Sequence, residues 1–299
     1  MKLAPICLFT YNRLDDTKQT IEALQNNYLA KQSRLFIFSD GPKNDGAKEK
    51  VKQVRSFIKD VEGFAEVVIY ESPKNKGLAN SIISGVTQVV NTYGKVIVLE
   101  DDLRTTPNFL DYMNQALDFY KNNKEVISIC GYGLKIKKPK DYKTDFYLYG
   151  RSSSWGWGTW KEDWETVDWE VKDWQEFKNS KQKIKEFNYN GSDMFKMLKS
   201  TVEGKGNSWA IRFGYAQFKQ QKYSLMPFES FIENIGFGAE GTNTKFKFSR
   251  FKTVINQGKQ RKFEFDKDIK VNKKIERACY KYHSLSIRIY SRIRYIFNI

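Results

Sequence analysis

Along the first 130 residues, short apolar runs alternate with stretches in which apolar positions recur every three or four residues. Residues 3–9 (LAPICLF) read as a buried strand. Residues 15–30 (DDTKQTIEALQNNYLA) carry Thr17, Ile21, Leu24 and Tyr28 at helical spacing, with Asp15 and Asp16 suited to a helix N-terminus. The alternation continues with RLFIFSDG at 34–41 as strand, 46–62 as helix and AEVVIYES at 65–72 as strand. KNKGLANSIISGVTQVV then reads as loop and helix, and KVIVLEDDL as a fourth strand. This order predicts an α/β fold with a mostly parallel sheet flanked by helices. Ligands bind such sheets beyond the carboxyl ends of the strands, and TYNR, SDG, SPKNKG and EDD stand at those ends.

Beyond residue 125 the texture changes. EVISICGYG reads as another strand, and residues 151–174 hold six of the seven tryptophans. Helical, polar sequence follows to residue 204, and GNSWAIRFGYAQFKQQK reads as a helix behind a Gly-Asn-Ser start. SLMPFESFIENIGFGAEGTNT is glycine-rich and irregular. Over 273–297 an apolar stripe (Ile275, Ala278, Cys279, Tyr282, Leu285, Ile289, Ile293, Ile296, Phe297) predicts one amphipathic helix, with Arg277, Lys281, Ser284, Arg288 and Ser291 opposite. Residues 250–299 contain fourteen Lys and Arg against four Asp and Glu, so ten of the chain's sixteen net positive charges lie there.

Composition narrows the classes. A chain of 299 residues with 40% apolar content can build one large α/β domain, or a domain with an appendage. A net charge of +16 is compatible with nucleic acid, an anionic membrane or a phosphorylated substrate. Cys7, Cys130 and Cys279 are far apart with no CxxC pair, which argues against a disulfide framework or zinc site and fits a reducing compartment. His283 is the only histidine, so histidine metal sites and a Ser-His-Asp triad have almost no material. MKLAPICLFTYNR lacks a small-residue cleavage site, and no stretch approaches the ~20 apolar residues of a membrane span. A cytoplasmic protein is expected.

Glu100, Asp101 and Asp102 end the fourth strand as a mutually repelling acidic triplet. Hard divalent cations take oxygen ligands, and Mg2+ or Mn2+ typically accepts one or two carboxylates and fills its shell with water and substrate phosphates. Such an ion would neutralise a diphosphate leaving group. The plainer alternative is a solvated acidic loop.

The order of these motifs resembles nucleotide-sugar glycosyltransferases of the GT-A (Rossmann-like) fold, over residues 3–245. Within them it is most similar to the N-acetylglucosaminyltransferase I group and related bacterial surface-polysaccharide transferases. The resemblance implies that Arg13 of FTYNR and Asp40 of FSDG meet the nucleotide, the latter at uracil. Asn75, Lys76 and Gly77 would flank base and ribose, Asp101 would lie near the ribose, and Asp102 would coordinate Mn2+ or Mg2+. SWGWGTW and NIGFGAEGTN resemble acceptor-side segments. Trp155, Trp157, Asn207 and Trp209 are the acceptor-binding candidates, with core packing the competing role for the tryptophans. The implied organisation is a catalytic domain over 1–249, with a nucleotide-sugar half at 1–125 and an acceptor half at 126–249, and a basic tail over 250–299.

An inverting transferase needs a base for the acceptor hydroxyl. Related sequences often carry an aspartate before a Ser-Trp or Asp-Trp pair at a helix start, but here that position is Asn207. Glu203 and Asp193 are the nearest acidic candidates, and Glu233 follows later; a retaining mechanism without a dedicated base stays open. The expected partners are a nucleotide-sugar donor, a UDP-sugar by what the resemblance implies, and a glycan or lipid-linked acceptor. The tail would add an anionic membrane surface contacted through 273–297, placing the enzyme peripherally on the inner face of the plasma membrane. A nucleotidyltransferase would carry a glycine-rich phosphate loop after the first strand, which FTYNRLDDT lacks. A nucleic-acid binder is disfavoured because the strand-end cleft is acidic while the positive charge concentrates in the tail.

Overall fold

The computed structural model describes residues 2–236 and 251–296. The first half alternates as its pattern predicts: β1 (Ile6–Thr10), α1 (Leu14–Gln25), β2 (Arg34–Ser39), α2 (Asp45–Ile58), β3 (Glu66–Glu71), α3 (Leu78–Tyr93) and β4 (Lys95–Glu100). Then follow β5 (Leu103–Thr105), α4 (Phe109–Phe119), β6 (Val126–Cys130), β7 (Phe146–Tyr149) and β8 (Trp157–Trp160). Four short helices come next: α5 (Lys161–Glu165), α6 (Trp174–Asn179), α7 (Lys181–Asn188) and α8 (Met194–Val202). The chain continues through α9 (Trp209–Lys219), β9 (Tyr223–Pro227), β10 (Ile232–Asn234), α10 (Lys273–Tyr282) and α11 (Leu285–Ile296).

Eight strands form one sheet in the order β3-β2-β1-β4-β8-β6-β9-β7. β3, β2, β1 and β4 pair in parallel, with Ile6 opposite both Leu35 and Ile97. β8 runs antiparallel to both β4 and β6, so β6 and its parallel neighbour β9 point the same way as β4. β7 closes the far edge antiparallel to β9. The result is a mixed, mostly parallel sheet flanked by helices.

Strand alternation explains the layers. Ile6 and Leu8 of β1 pack with Ile21 and Leu24 of α1, Val54 and Ile58 of α2, and residues of α4. Cys7 and Phe9 face the other way, against Ile82 and Val86 of α3 and Trp209 and Phe213 of α9. A strand covered on both faces reads as an unbroken apolar run, as LAPICLF does.

Several boundaries differ from the sequence reading, and three bear on the architecture. The first helix stops at Gln25 rather than residue 30. Beyond it, the buried Asn27 accepts a hydrogen bond from the Leu110 amide and donates to Thr105 Oγ1, interactions that hold the chain out of the helix. The fourth strand ends at Glu100; Leu103 opens β5, which pairs antiparallel with β10 in a separate two-stranded sheet. Residues 273–297 are two helices, broken at His283 and Ser284.

The basic tail does not begin as an appendage. Asn256 pairs with Ser230, Arg261 bridges to Asp111 on α4 at 3.1 Å, and Ile269 is buried in the main core. Ile275 and Cys279 of α10 are buried beside Tyr147 and Tyr149.

Candidate active site

Four segments converge at the carboxyl edge of β1, β2 and β4. One cleft is lined by Tyr11 and Arg13 after β1, Asp40 and Lys43 after β2, Asn75 and Gly77 before α3, and Glu100 and Asp101 at the end of β4. Residues 60–90 positions apart in sequence meet there because parallel strands all end at one edge.

Arg13 is the hub. Its guanidinium donates to Asp101 and, at 3.0 Å, to Asp102, with Asp16 at 3.6 Å. Burial works against the charge, but Asp101 and Asp102 outweigh it and hold the arginine firmly protonated. The Tyr11 amide donates to Asp101, and Thr20 of α1 braces the acidic turn from behind by donating to the Asp101 carbonyl and accepting from the Leu103 amide. Burial, then the charges of Asp102 and Asp101, push the Glu100 carboxyl up to about 8. Burial also lifts Asp101, to about 6, against the pull of Arg13.

Asp40 does something the sequence did not signal. One carboxylate oxygen accepts from the amides of Gly41 and Lys76, and the other from the Gly77 amide and the Asn75 side chain. The carboxylate therefore clamps the 75–77 loop against the end of β2. The clamp needs close backbones: a Cβ on Gly41 would lie 2.5 Å from the Lys74 carbonyl carbon. Gly77 has φ +73 at the start of α3, a left-handed conformation that glycine supplies without strain. Arg55 of α2, which sequence reading also missed, donates to Ser39 and to the carbonyls of Ser72 and Asp40, tying the ends of β2 and β3 together.

Asp102 sits beside this cleft, with its carbonyl accepting from the Ile235 amide and Gly236 packed against its carboxylate. Among the described residues, no three His, Cys, Asp or Glu side chains converge on a cation position. The donor set suits an ion held by one or two carboxylates and completed by diphosphate oxygens, the usual manner of Mg2+.

A second cleft opens at the same sheet edge, at the ends of β6 and β9. Tyr132, Arg151, Ser152, Ser153, Ser154, Trp155 and the first turn of α9 line it. Of the acceptor candidates, only Trp155 reaches it, edge-on to Tyr132 and Phe251. Trp157 and Trp209 are 2% and 4% exposed and stack on each other in the core at 4.6 Å. Asn207 is exposed and accepts from Arg212, and the cap of α9 is Ser208. Asp193 is bridged to Arg151 at 2.8 Å, with Arg288 at 3.9 Å; burial raises its carboxyl, but the two arginines outweigh this and carry it down to about 2. Glu203 caps the far end of α8, exposed and paired with Lys199 and Lys205. Glu233 pairs with Arg104 across β10 and β5. Of the NIGFGAEGTN segment, 237–243 lie outside the described residues.

The fold is that of a nucleotide-sugar glycosyltransferase of the GT-A kind, and the family match makes the chain a glycosyltransferase. The chain belongs to glycosyl transferase family 2, whose model matches residues 6–194, from the first residue of β1 to the first of α8. This match does not single out the N-acetylglucosaminyltransferase I group. Among solved structures, the mannosyltransferase PcManGT from Pyrobaculum calidifontis, in complex with GDP-Man and Mn2+, is 11% identical, with a TM-score of 0.34, over 54% of this chain and 46% of that one. TarS from S. aureus is 9% identical, with a TM-score of 0.40, over 76% of this chain and 36% of that one. The chain thus spans less than half the length of either, and neither likeness is close enough to carry over a donor or a metal. No curated protein matches it.

Proposed function

We propose that this glycosyltransferase moves a sugar from a UDP-sugar, with inversion and with Mn2+ or Mg2+, to a lipid-linked glycan acceptor in bacterial surface-polysaccharide synthesis. The observation that carries this reading is the single cleft joining Arg13, Asp40, the 75–77 loop and the acidic turn. In it the nucleotide lies over β1 and β2, between Tyr11 and the Asn75–Gly77 backbone. Asp40 acts by fixing that backbone, since its own oxygens already accept four hydrogen bonds. Asp102, with Asp101 beside it, would hold the divalent ion, which supplies Lewis-acid stabilisation of the departing diphosphate when bound. Arg13 keeps the two carboxylates from repelling each other before the donor arrives and stands ready to face diphosphate oxygens afterwards.

The acceptor occupies the neighbouring cleft, with a sugar face on Trp155 and hydroxyls near Ser152–Ser154. Asp193 and Glu203 were the expected base candidates. An acid held near 2 by two arginines is a poor proton acceptor at neutral pH, which supports a positioning role for Asp193, and Glu203 lies on no described cleft.

The test is a thermal-shift and calorimetric panel of UDP-, GDP-, CMP- and dTDP-sugars with Mn2+. UDP-sugars alone should raise the melting temperature, and Asp102→Ala should abolish the Mn2+-dependent part of that rise while keeping its own fold. A rise with GDP-sugars alone would overturn the donor assignment, and an undiminished rise in EDTA would overturn the metal.

A further inference from the structure

α11 is packed on the domain the wrong way round for a helix that belongs to a core. Its half-buried side carries Ile287, Arg288, Ser291 and Arg294. Arg288 reaches Asp193 at 3.9 Å and donates to Ser192 at 3.1 Å, at the start of α8. The outward side carries the apolar residues: Leu285 is 59% exposed, Ile289 50%, Tyr290 53% and Ile293 46%. Leu285, Ile289 and Ile293 follow one another at four-residue spacing, so they form one continuous stripe. Leaving such a stripe in water forfeits the burial that normally holds an amphipathic helix down. By contrast α10, one break earlier, buries Ile275 and Cys279 in the ordinary way.

We infer that the outward face of α11 docks on an anionic lipid bilayer, with Leu285, Ile289 and Ile293 entering the headgroup layer. Charge selects this occupant. Between residues 273 and 294 there are seven Lys and Arg and one Glu, and of the seven Lys274 and Arg288 are taken up by Asp141 and Asp193. Arg292 and Lys281 are exposed, on and just before α11, which is where cations meet lipid phosphates. A second copy of this chain would bring the same positive charges against themselves. Twelve residues of helix extend only ~18 Å, short of the ~30 Å hydrocarbon core, and among the described residues no helix is long and apolar enough to cross a membrane. The helix therefore lies in the interface rather than spanning it.

The attachment is rigid at its base. His283, immediately before α11, stacks on Tyr149 and helps line the cleft that holds Trp155, and its carbonyl accepts from Ser192. Docking through α11 accordingly sets that cleft beside the bilayer surface, where the headgroup of a lipid-linked acceptor stands. This last step rests on the proposed acceptor; the docking itself does not.

The test is flotation of the full chain, without donor or acceptor, on vesicles of phosphatidylglycerol with phosphatidylcholine and on phosphatidylcholine alone. The chain should float with the anionic vesicles at low salt, be partly released by high salt, and stay behind with the neutral ones. Leu285→Ser/Ile289→Ser/Ile293→Ser should weaken vesicle binding by more than about tenfold at an unchanged melting temperature, because those side chains are exposed. Arg292→Glu should weaken it at low salt and leave the high-salt remainder alone. Failure of the wild-type chain to float at low salt, or flotation of the triple-serine variant equal to wild type, overturns the inference. So does a wild-type dimer that the triple variant dissociates while neither floats, since the face would then belong to a second copy. None of these outcomes touches the UDP-sugar panel, so the two readings fail separately.

Discussion

At the scale of single residues, the site is organised by charges that restrain one another. Arg13 stands between Asp101 and Asp102, all three with side chains under one-fifth exposed. Replacing it with Met leaves two neighbouring carboxylates without their cation, and breaking a buried pair of this kind costs about 3 kcal/mol. A divalent ion at Asp102 would restore much of that loss. Mn2+ should therefore raise the melting temperature of Arg13→Met more than that of wild type; equal shifts would show that the ion does not bind where Arg13 now sits. Asp40→Ala removes the acceptor for three amides and one side-chain amide at once. It should lower stability by about 2 kcal/mol and weaken UDP and UDP-sugar alike, because the loss is in uniform binding. Unchanged stability with weaker UDP binding would instead point to direct contact between Asp40 and the base. FSDG placed Asp40 at the end of a strand; that its carboxylate bonds the 75–77 loop was not legible, because those partners lie 35 to 37 residues away.

At the scale of elements, the parallel half was legible and the tail was not. Strands buried on both faces announce themselves as apolar runs, and β1, β2 and β4 fell where those runs are. The stripe over 273–297 also has a true helical period. It does not reveal the break at His283, because apolar positions continue on both sides of it, nor which way each half turns its stripe. The tryptophan region shows the same limit. Trp155 and Trp157 flank Gly156, whose φ of +59 turns the chain so that one ring borders a cleft and the other enters the core. Trp157→Ala should cost about 4 kcal/mol, as large aromatic truncations in cores do. Trp155→Ala should leave the melting curve close to wild type and raise KM for the acceptor with the donor KM unchanged. A large stability loss in Trp155→Ala, with both KM values intact, would return it to the core.

At the scale of the whole molecule, Asp193 joins parts that are remote in sequence: Arg151 after β7, the start of α8, and Arg288 on α11. Its carboxyl is lowered from the ordinary 3.8 to about 2, the two arginines overcoming the opposing effect of burial. A group depressed on folding binds its proton less readily in the folded chain than in the unfolded one. Its contribution is complete above the unfolded value and is lost as pH falls from about 4 through about 2. A shift of this size corresponds to about 2 kcal/mol. The difference in unfolding free energy between wild type and Asp193→Asn should therefore be full at neutral pH, shrink below about pH 4 and nearly vanish near pH 2. The same variant should loosen α11, seen as faster amide exchange over 285–294 than in wild type, while exchange in β1 and β4 stays slow. A difference that is constant with pH would mean that Asp193 stabilises the fold through packing rather than through its charge. Unaltered exchange in α11 would mean that Tyr149 and Ser192, without the carboxylate, suffice to hold the helix against the domain.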